Sequence, residues 1–207
     1  KNAKVFLVND ASDYAVGLQK TVDITLAGRV VGKDVTPQGT TDFSATIAKI
    51  KKSKATAVFY SGYFSQAAVF VKQLRDSGSK AVFAGGDGVF NQQFAVLAGA
   101  AGEGALLTGV AGLADVDEKI AADFKSKIGT SAGVYAVESI DATNILLSGI
   151  KAGHTNRLSL LRYVTKYQGE GLAGTSLAFD KNGDISEGGF SGFLVTGGKL
   201  VNKGAVK

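Results

Sequence analysis

Three short apolar runs, each closing in polar or aromatic residues and each leading into a helix-like segment, constrain this chain more than any other feature. They are Lys4-Val-Phe-Leu-Val-Asn-Asp10, Ala57-Val-Phe-Tyr-Ser-Gly-Tyr63 and Ala81-Val-Phe-Ala-Gly-Gly-Asp-Gly-Val-Phe90. Each run is long enough for a buried strand and too short for a helix. Buried strands that alternate with helices make a parallel α/β sheet, and such sheets bind ligands outside the carboxyl ends of their strands. The third run breaks into Gly85, Gly86, Asp87 and Gly88. Glycines permit a sharp turn and a close approach. A lone carboxylate on that turn suits a ligand's ammonium group.

The rest of the first half follows the same plan. A helix after Asp10, Ser12 or Asp13 carries Tyr14, Leu18, Val22 and Leu26 at intervals of four, which predicts one apolar face. A second strand is expected over 29–36, then a helix with Phe43, Ile47 and Ile50 capped by Thr41 or Asp42. A strand over 56–60, a helix over 64–77, a short helix over 92–98 and a fifth strand over 105–108 complete five βα-type units. Right-handed crossovers make these a doubly wound layer sandwich.

Beyond about residue 109 the character changes. Helices are expected from Asp115 or Asp117 to Ile128, over 134–149 and over 155–164. A strand over 176–179, a turn over 180–184 and a hairpin joined by Gly197-Gly198 follow. Three helices with so few strands cannot build a parallel sheet of their own. They must pack on the first part, on a partner or on further chain.

Composition narrows the chemistry. With no cysteine, disulfides, thiolate metal sites and cysteine nucleophiles are excluded, and an exported protein fits. The single histidine, His154, sits in a loop and reads as solvated; no Gly-x-Ser-x-Gly elbow accompanies it. The Asp180, Asn182 and Asp184 cluster lacks calcium-loop spacing and reads as a turn. No phosphate loop or dinucleotide fingerprint is present. The net charge of +5 is modest, and its one dense group, Lys49, Lys51, Lys52 and Lys54, reads as a solvated helix end rather than a nucleic-acid patch. No run reaches the roughly 18 apolar residues of a membrane span. No catalytic residue, metal site or cofactor is expected.

These segments, in this order and over nearly the whole chain, resemble the leucine/isoleucine/valine-binding proteins of bacterial ABC importers, within the type I periplasmic binding proteins. The matching stretches are 4–10 followed by Tyr14-Ala-Val-Gly17, Gly39-Thr-Thr-Asp-Phe-Ser44, 57–63, Gln73-Leu-Arg75 with Gly78, Phe83-Ala-Gly-Gly-Asp-Gly88, Phe179-Asp-Lys-Asn-Gly-Asp184 and the terminal hairpin. The resemblance implies a second, ligand-binding lobe over 1–110 and 192–207 and a mostly helical part of the first lobe over 111–191, with the first lobe's opening sheet outside this chain. It implies an extracytoplasmic solute-binding protein, periplasmic or lipid-anchored, that is not an enzyme. It would bind a small amino acid or related metabolite and deliver it to an ABC permease; the alternative is a ligand-sensing receptor of the same fold. Carried over residue by residue, it places Asp87 on the ligand's α-ammonium and Tyr14 and Tyr63 against the ligand. Tyr135 falls where an aromatic faces it, and Ser61 lies near the same tip. Aspartate stands where leucine binders often carry glutamate, and Ala15 where glycine is usual. Any signal segment is expected to lie outside a chain that opens on Lys1 and has no methionine. The exposed faces of the helices over 111–190 are expected to drive dimerisation or domain swapping.

Overall fold

The computed structural model describes residues 3–110, 117–172, 174, 176–186 and 189–206. In chain order the elements are β1 (Val5–Asn9), α1 (Asp13–Thr25), β2 (Val30–Val35), α2 (Ser44–Lys52), β3 (Ala57–Tyr60), α3 (Phe64–Asp76), β4 (Val82–Gly85), α4 (Gln92–Ala98) and β5 (Leu106–Gly109). Then come α5 (Glu118–Ile128), α6 (Ala136–Lys151), α7 (Arg157–Val164), β6 (Gln168–Glu170), β7 (Ser176–Ala178), β8 (Ser191–Thr196) and β9 (Lys199–Ala205). The chain divides into two units, residues 1–109 with 191–207, and 110–190.

The first unit is a seven-stranded sheet in the order β2-β1-β3-β4-β5-β8-β9. β1 to β5 run parallel, and β8 and β9 add antiparallel at the β5 edge. β1 is buried along its whole length, as a central strand with a continuous apolar run should be. β2 alternates half-buried with exposed positions, as an edge strand does. Gly197 and Gly198 both adopt positive φ, the pair of left-handed residues that a tight hairpin turn between β8 and β9 demands. Their amides donate to the Glu103 carboxylate at 3.0 and 2.8 Å, which pins the hairpin to the rest of the unit.

The core lies on one side of this sheet. Phe6, Val8, Val58, Tyr60, Phe83 and Leu107 meet Ile47 and Ile50 of α2, Phe70, Val71 and Leu74 of α3, and Phe94 of α4. Phe70 sits at its centre, with ring centroids 4.9 Å from Phe43, 5.7 Å from Tyr60 and 6.1 Å from Phe83. The other side is thinner. α1 buries only Ala15 completely, whereas the i, i+4 pattern predicted a full face at Tyr14, Leu18, Val22 and Leu26; those four are only half-buried. Val82 and Leu106, which alternate away from the core, stay 42% and 48% exposed. The sequence shows that α1 is amphipathic, but not how much protein covers it.

Local capping follows expectation at α1 and departs from it at α2. Ser12 is the residue that caps α1, accepting from the Ala15 amide at 3.2 Å. At α2 the cap position falls to Phe43, which has no side-chain cap; its amide donates to Gln73 Oε1 at 2.8 Å, and Asp42 accepts from the Ser44 amide at 2.9 Å. Asp117 caps α5, and the alternative Asp115 lies outside the described residues.

In the second unit, α6 buries Val137, Asp141, Ile145 and Gly149, one per turn. The Asp141 carboxylate accepts from the Leu172 amide at 3.0 and 3.2 Å and so ties the loop before β7 to the helix. β6 and β7 form a two-stranded antiparallel sheet. Residues 180–184 form the expected turn, with Asp180 accepting from the amides of Asn182 and Asp184. Lys49 pairs with Asp34 at 2.7 Å and Lys51 donates to the Ser77 carbonyl at 2.9 Å, so the lysine-rich end of α2 is engaged within the first unit.

Candidate functional site

The strand order 2-1-3-4-5 reverses direction between β1 and β3, which opens a crevice beyond their carboxyl ends. The turn after β4 enters the same region. Three of the residues singled out from the sequence meet there. The Tyr14 hydroxyl donates to Asp87 Oδ1 at 2.7 Å and accepts from the Gly88 amide at 3.0 Å. The rings of Tyr14 and Tyr63 lie 5.4 Å apart and are tilted by 32°. Asp87 and Tyr14 are half-buried and Tyr63 is 41% exposed, so the cluster forms a polar floor with an aromatic rim.

Each partner reaches this place for a local reason. Tyr14 stands in the first turn of α1, immediately past the β1 tip. Tyr63 precedes α3 in an extended conformation, so its ring projects from the β3 tip. Asp87 rides on a turn closed by the Val89 and Phe90 amides donating back to the Gly86 carbonyl. The Phe64 amide donates to the Gly88 carbonyl at 2.9 Å and locks the β3 and β4 tips together. Gly88 is obligatory for space: a Cβ there would stand 2.6 Å from the Gly62 carbonyl oxygen and 3.0 Å from Tyr14. A Cβ on Gly86 would stand 2.8 Å from Leu18.

Ser61 lies behind this cluster. It is fully buried, and its hydroxyl faces the Ala15 carbonyl at 3.0 Å and the Val8 carbonyl at 3.3 Å. It clamps α1 to the β1 tip and is not presented at the surface. Ala15, which stands where glycine is usual, is the residue under that clamp. Tyr135 belongs to the second unit, where it is exposed, holds φ +64° and precedes α6. Leu18 was read only as part of the apolar face of α1 and Gly62 only as part of a strand tip, although both pack against the Asp87 turn. A glycine directly after Ser61 and a leucine one turn beyond Tyr14 were the available signals.

A second polar cluster lies beneath the tips. Asp10 is fully buried and accepts from the Ser12 amide at 3.0 Å and from Gln38 Nε2 at 3.3 Å. The Tyr60 hydroxyl is buried beside it without a well-formed hydrogen bond, since the Thr36 hydroxyl turns to the Asn9 carbonyl at 3.3 Å. Burial, reinforced by the Asp10 charge, pushes the Tyr60 phenol far above its ordinary value, with Thr36 pulling weakly the other way. Above pH ~10 the unfolded chain releases a proton that the folded state keeps, so stability falls by up to about 1.4 kcal/mol per pH unit. Tyr60→Phe is therefore expected to be stabilising by about 1 kcal/mol at pH 7, because a stranded hydroxyl is removed. Its melting temperature should also fall less steeply than that of the parent between pH 10 and 11.5. Parallel pH profiles for the two proteins would contradict this.

A doubly wound sheet with polar and aromatic side chains gathered at its switch point is the layout of an α/β ligand-binding domain. The family model described as periplasmic binding protein matches residues 1–190, and the chain belongs to that family. It is 30% identical to the Leu/Ile/Val-binding protein BraC3 of Rhizobium johnstonii over 208 residues, covering 97% of this chain and 56% of that protein. It is 28% identical to the leucine-, isoleucine-, valine-, threonine- and alanine-binding protein of Pseudomonas aeruginosa, covering 92% and 52%. Among solved structures, the leucine-binding protein LivK of Thermotoga maritima matches with a TM-score of 0.84 and 25% identity, covering 99% of this chain and 61% of that one. LivJ of Streptococcus pneumoniae, solved in complex with isoleucine, matches with a TM-score of 0.83 and 25% identity, covering 99% and 60%. The chain thus spans little more than half the length of the curated relatives it matches.

Proposed function

We propose that this chain is the ligand-binding portion of an extracytoplasmic solute-binding protein that captures a small amino acid for an ABC importer. The observation that carries the reading is the Asp87–Tyr14–Tyr63 cluster at the switch point. A carboxylate held by a tyrosine hydroxyl at the base of a crevice suits an α-ammonium group. Flanking rings add apolar contact and a face for the cation. The relatives named for leucine, isoleucine and valine support the ligand class. Residues 1–110 with 192–207 act as the second lobe and 111–191 as part of the first. Ser61 then supports the pocket from behind. Tyr135 keeps a ligand role through the family resemblance alone. Lobe closure buries the ligand, and no covalent step is involved. Leu146, Leu147 and Ile150 of α6 are exposed, and dimerisation through them belongs to the same reading; a monomer in light scattering would remove that part.

The test is a thermal-shift panel of amino acids on this chain and on Asp87→Ala. A ligand at about 100 times its dissociation constant adds roughly 2.7 kcal/mol. For a chain of this size that raises the melting temperature by about 5–10 °C. The expected result is a shift with small aliphatic amino acids that disappears in Asp87→Ala. A shift that survives the substitution would place the ammonium elsewhere. No shift with any amino acid would mean that this chain does not bind alone.

A further inference from the structure

The second unit holds a cluster that the amino-acid site does not use. From Lys151 to Gln168 the chain carries Lys151, Arg157, Arg162 and Lys166, together with His154, and no aspartate or glutamate. The fold gathers part of this stretch into an open cleft of about 430 Å³, lined by His154, Arg162, Tyr163, Lys166, Tyr167 and Gln168. The cleft is built rather than incidental. The His154 amide donates to the Gly149 carbonyl at 3.0 Å, which turns the loop back over the end of α6. A Cβ on Gly149 would come within 2.7 Å of the Tyr163 ring, so that glycine is the seat on which the ring rests. The His154 and Tyr163 centroids are 5.2 Å apart, and those of Tyr163 and Tyr167 are 6.0 Å apart. The result is an aromatic row flanked by a guanidinium and an ammonium.

Among the described residues no carboxylate lies within ion-pair distance of Arg162 or Lys166; the described ion pairs are Lys33–Asp23, Lys49–Asp34 and Lys127–Asp123. Like charges one turn apart repel. The carboxyl end of α7 offsets part of this with about half a negative charge. Two full cations exceed that, and the helix end does not explain the row of rings. The lysine-rich end of α2 differs, because Lys49 and Lys51 already have partners there.

We infer that this cleft binds a phosphoryl group, with Arg162 and Lys166 holding the oxygens and the His154–Tyr163–Tyr167 row forming one wall. Guanidinium and ammonium together match a multiply charged oxyanion better than a single carboxylate, which one cation would satisfy. The cleft is open and its cations are exposed, so binding is screened by salt and dissociation constants are on the order of 1 mM. This inference is independent of the Asp87 site.

His154 is the only histidine, so the proton on its Cε1 gives one resonance, downfield of the phenylalanine and tyrosine ring protons, that reports directly on the cleft. The experiment titrates inorganic pyrophosphate into the full 207-residue chain, with sodium chloride at matched ionic strength as the reference. A saturable shift of that resonance is expected, with half-saturation raised at least tenfold in the double variant Arg162→Gln, Lys166→Gln. Both changes are at exposed positions, so the variant keeps its fold. A second arm mixes the chain with phosphatidylglycerol vesicles and with phosphatidylcholine vesicles. Sedimentation with the former alone, alongside the pyrophosphate shift, places the phosphate on a lipid headgroup. The shift without sedimentation places it on a soluble ligand. A shift that does not saturate, one equal to that with chloride, or one unchanged in the double variant would overturn the inference, whatever the vesicles do.

Discussion

Gly88→Ala is expected to destabilise the first unit by about 1–3 kcal/mol, the cost of forcing one methyl group into a packed site. The neighbour it meets is the Gly62 carbonyl, which is main chain and cannot rotate away. The β4 turn must therefore move off the β3 tip, and the bond from the Phe64 amide to the Gly88 carbonyl stretches with it. The Tyr14 hydroxyl loses the Gly88 amide in the same step and carries its bond to Asp87 out of place. Under the proposed function, amino-acid affinity should thus fall together with stability. For a chain of this length the melting temperature should drop by about 2–10 °C. Gly17→Ala supplies the control. Gly17 lies within α1, has nothing within 4 Å of a built Cβ and has no positive φ. Alanine there should stabilise by about 0.5–1 kcal/mol. If both variants moved the melting temperature in the same direction, the spatial account of Gly88 would be wrong.

The contrast between these glycines shows what could be read without coordinates. Glycine after β4 announced a turn, and Asp87 upon it was read as a ligand-facing charge, but the need for glycine at 88 comes from residue 62, in the loop that follows a different strand. The strands β1, β3, β4 and β5 and the helices between them were legible because their apolar runs are short and their helices are punctuated by Gly28, Gly78 and similar stops. β6 was not legible. Gln168, Gly169 and Glu170 carry no apolar alternation, and only pairing with Ser176–Ala178 makes them a strand. Ser61 illustrates a different gap. A hydroxyl at a strand tip reads the same whether it faces solvent or the carbonyl of Ala15, and the outcome depends on how closely α1 approaches β1. The half-covered face of α1 belongs with these cases, since periodicity reports which side of a helix is apolar and not what lies against it.

Phe70→Ala should give the largest loss of stability in the first unit, about 3–5 kcal/mol. Phe70 is completely buried and joins three layers of contact: Phe43 before α2, Tyr60 at the end of β3 and Phe83 in β4. Alanine leaves a cavity bounded by aromatic rings, which are stiff and collapse poorly into it, so the cost belongs at the upper end of the range. Val82→Ala on the opposite face offers the comparison. Val82 is 42% exposed, so its loss should stay below about 1 kcal/mol. Urea denaturation followed by far-UV circular dichroism would measure both. Near-equal costs for the two variants would mean that the two faces of the sheet bear load alike. The expected inequality would instead locate the rigidity behind the ligand cluster: Tyr63 and Asp87 stand just beyond β3 and β4, the strands that carry Tyr60 and Phe83. A weakened Phe70 contact should loosen the tips that hold those side chains while leaving the Tyr14–Asp87 hydrogen bond chemically intact.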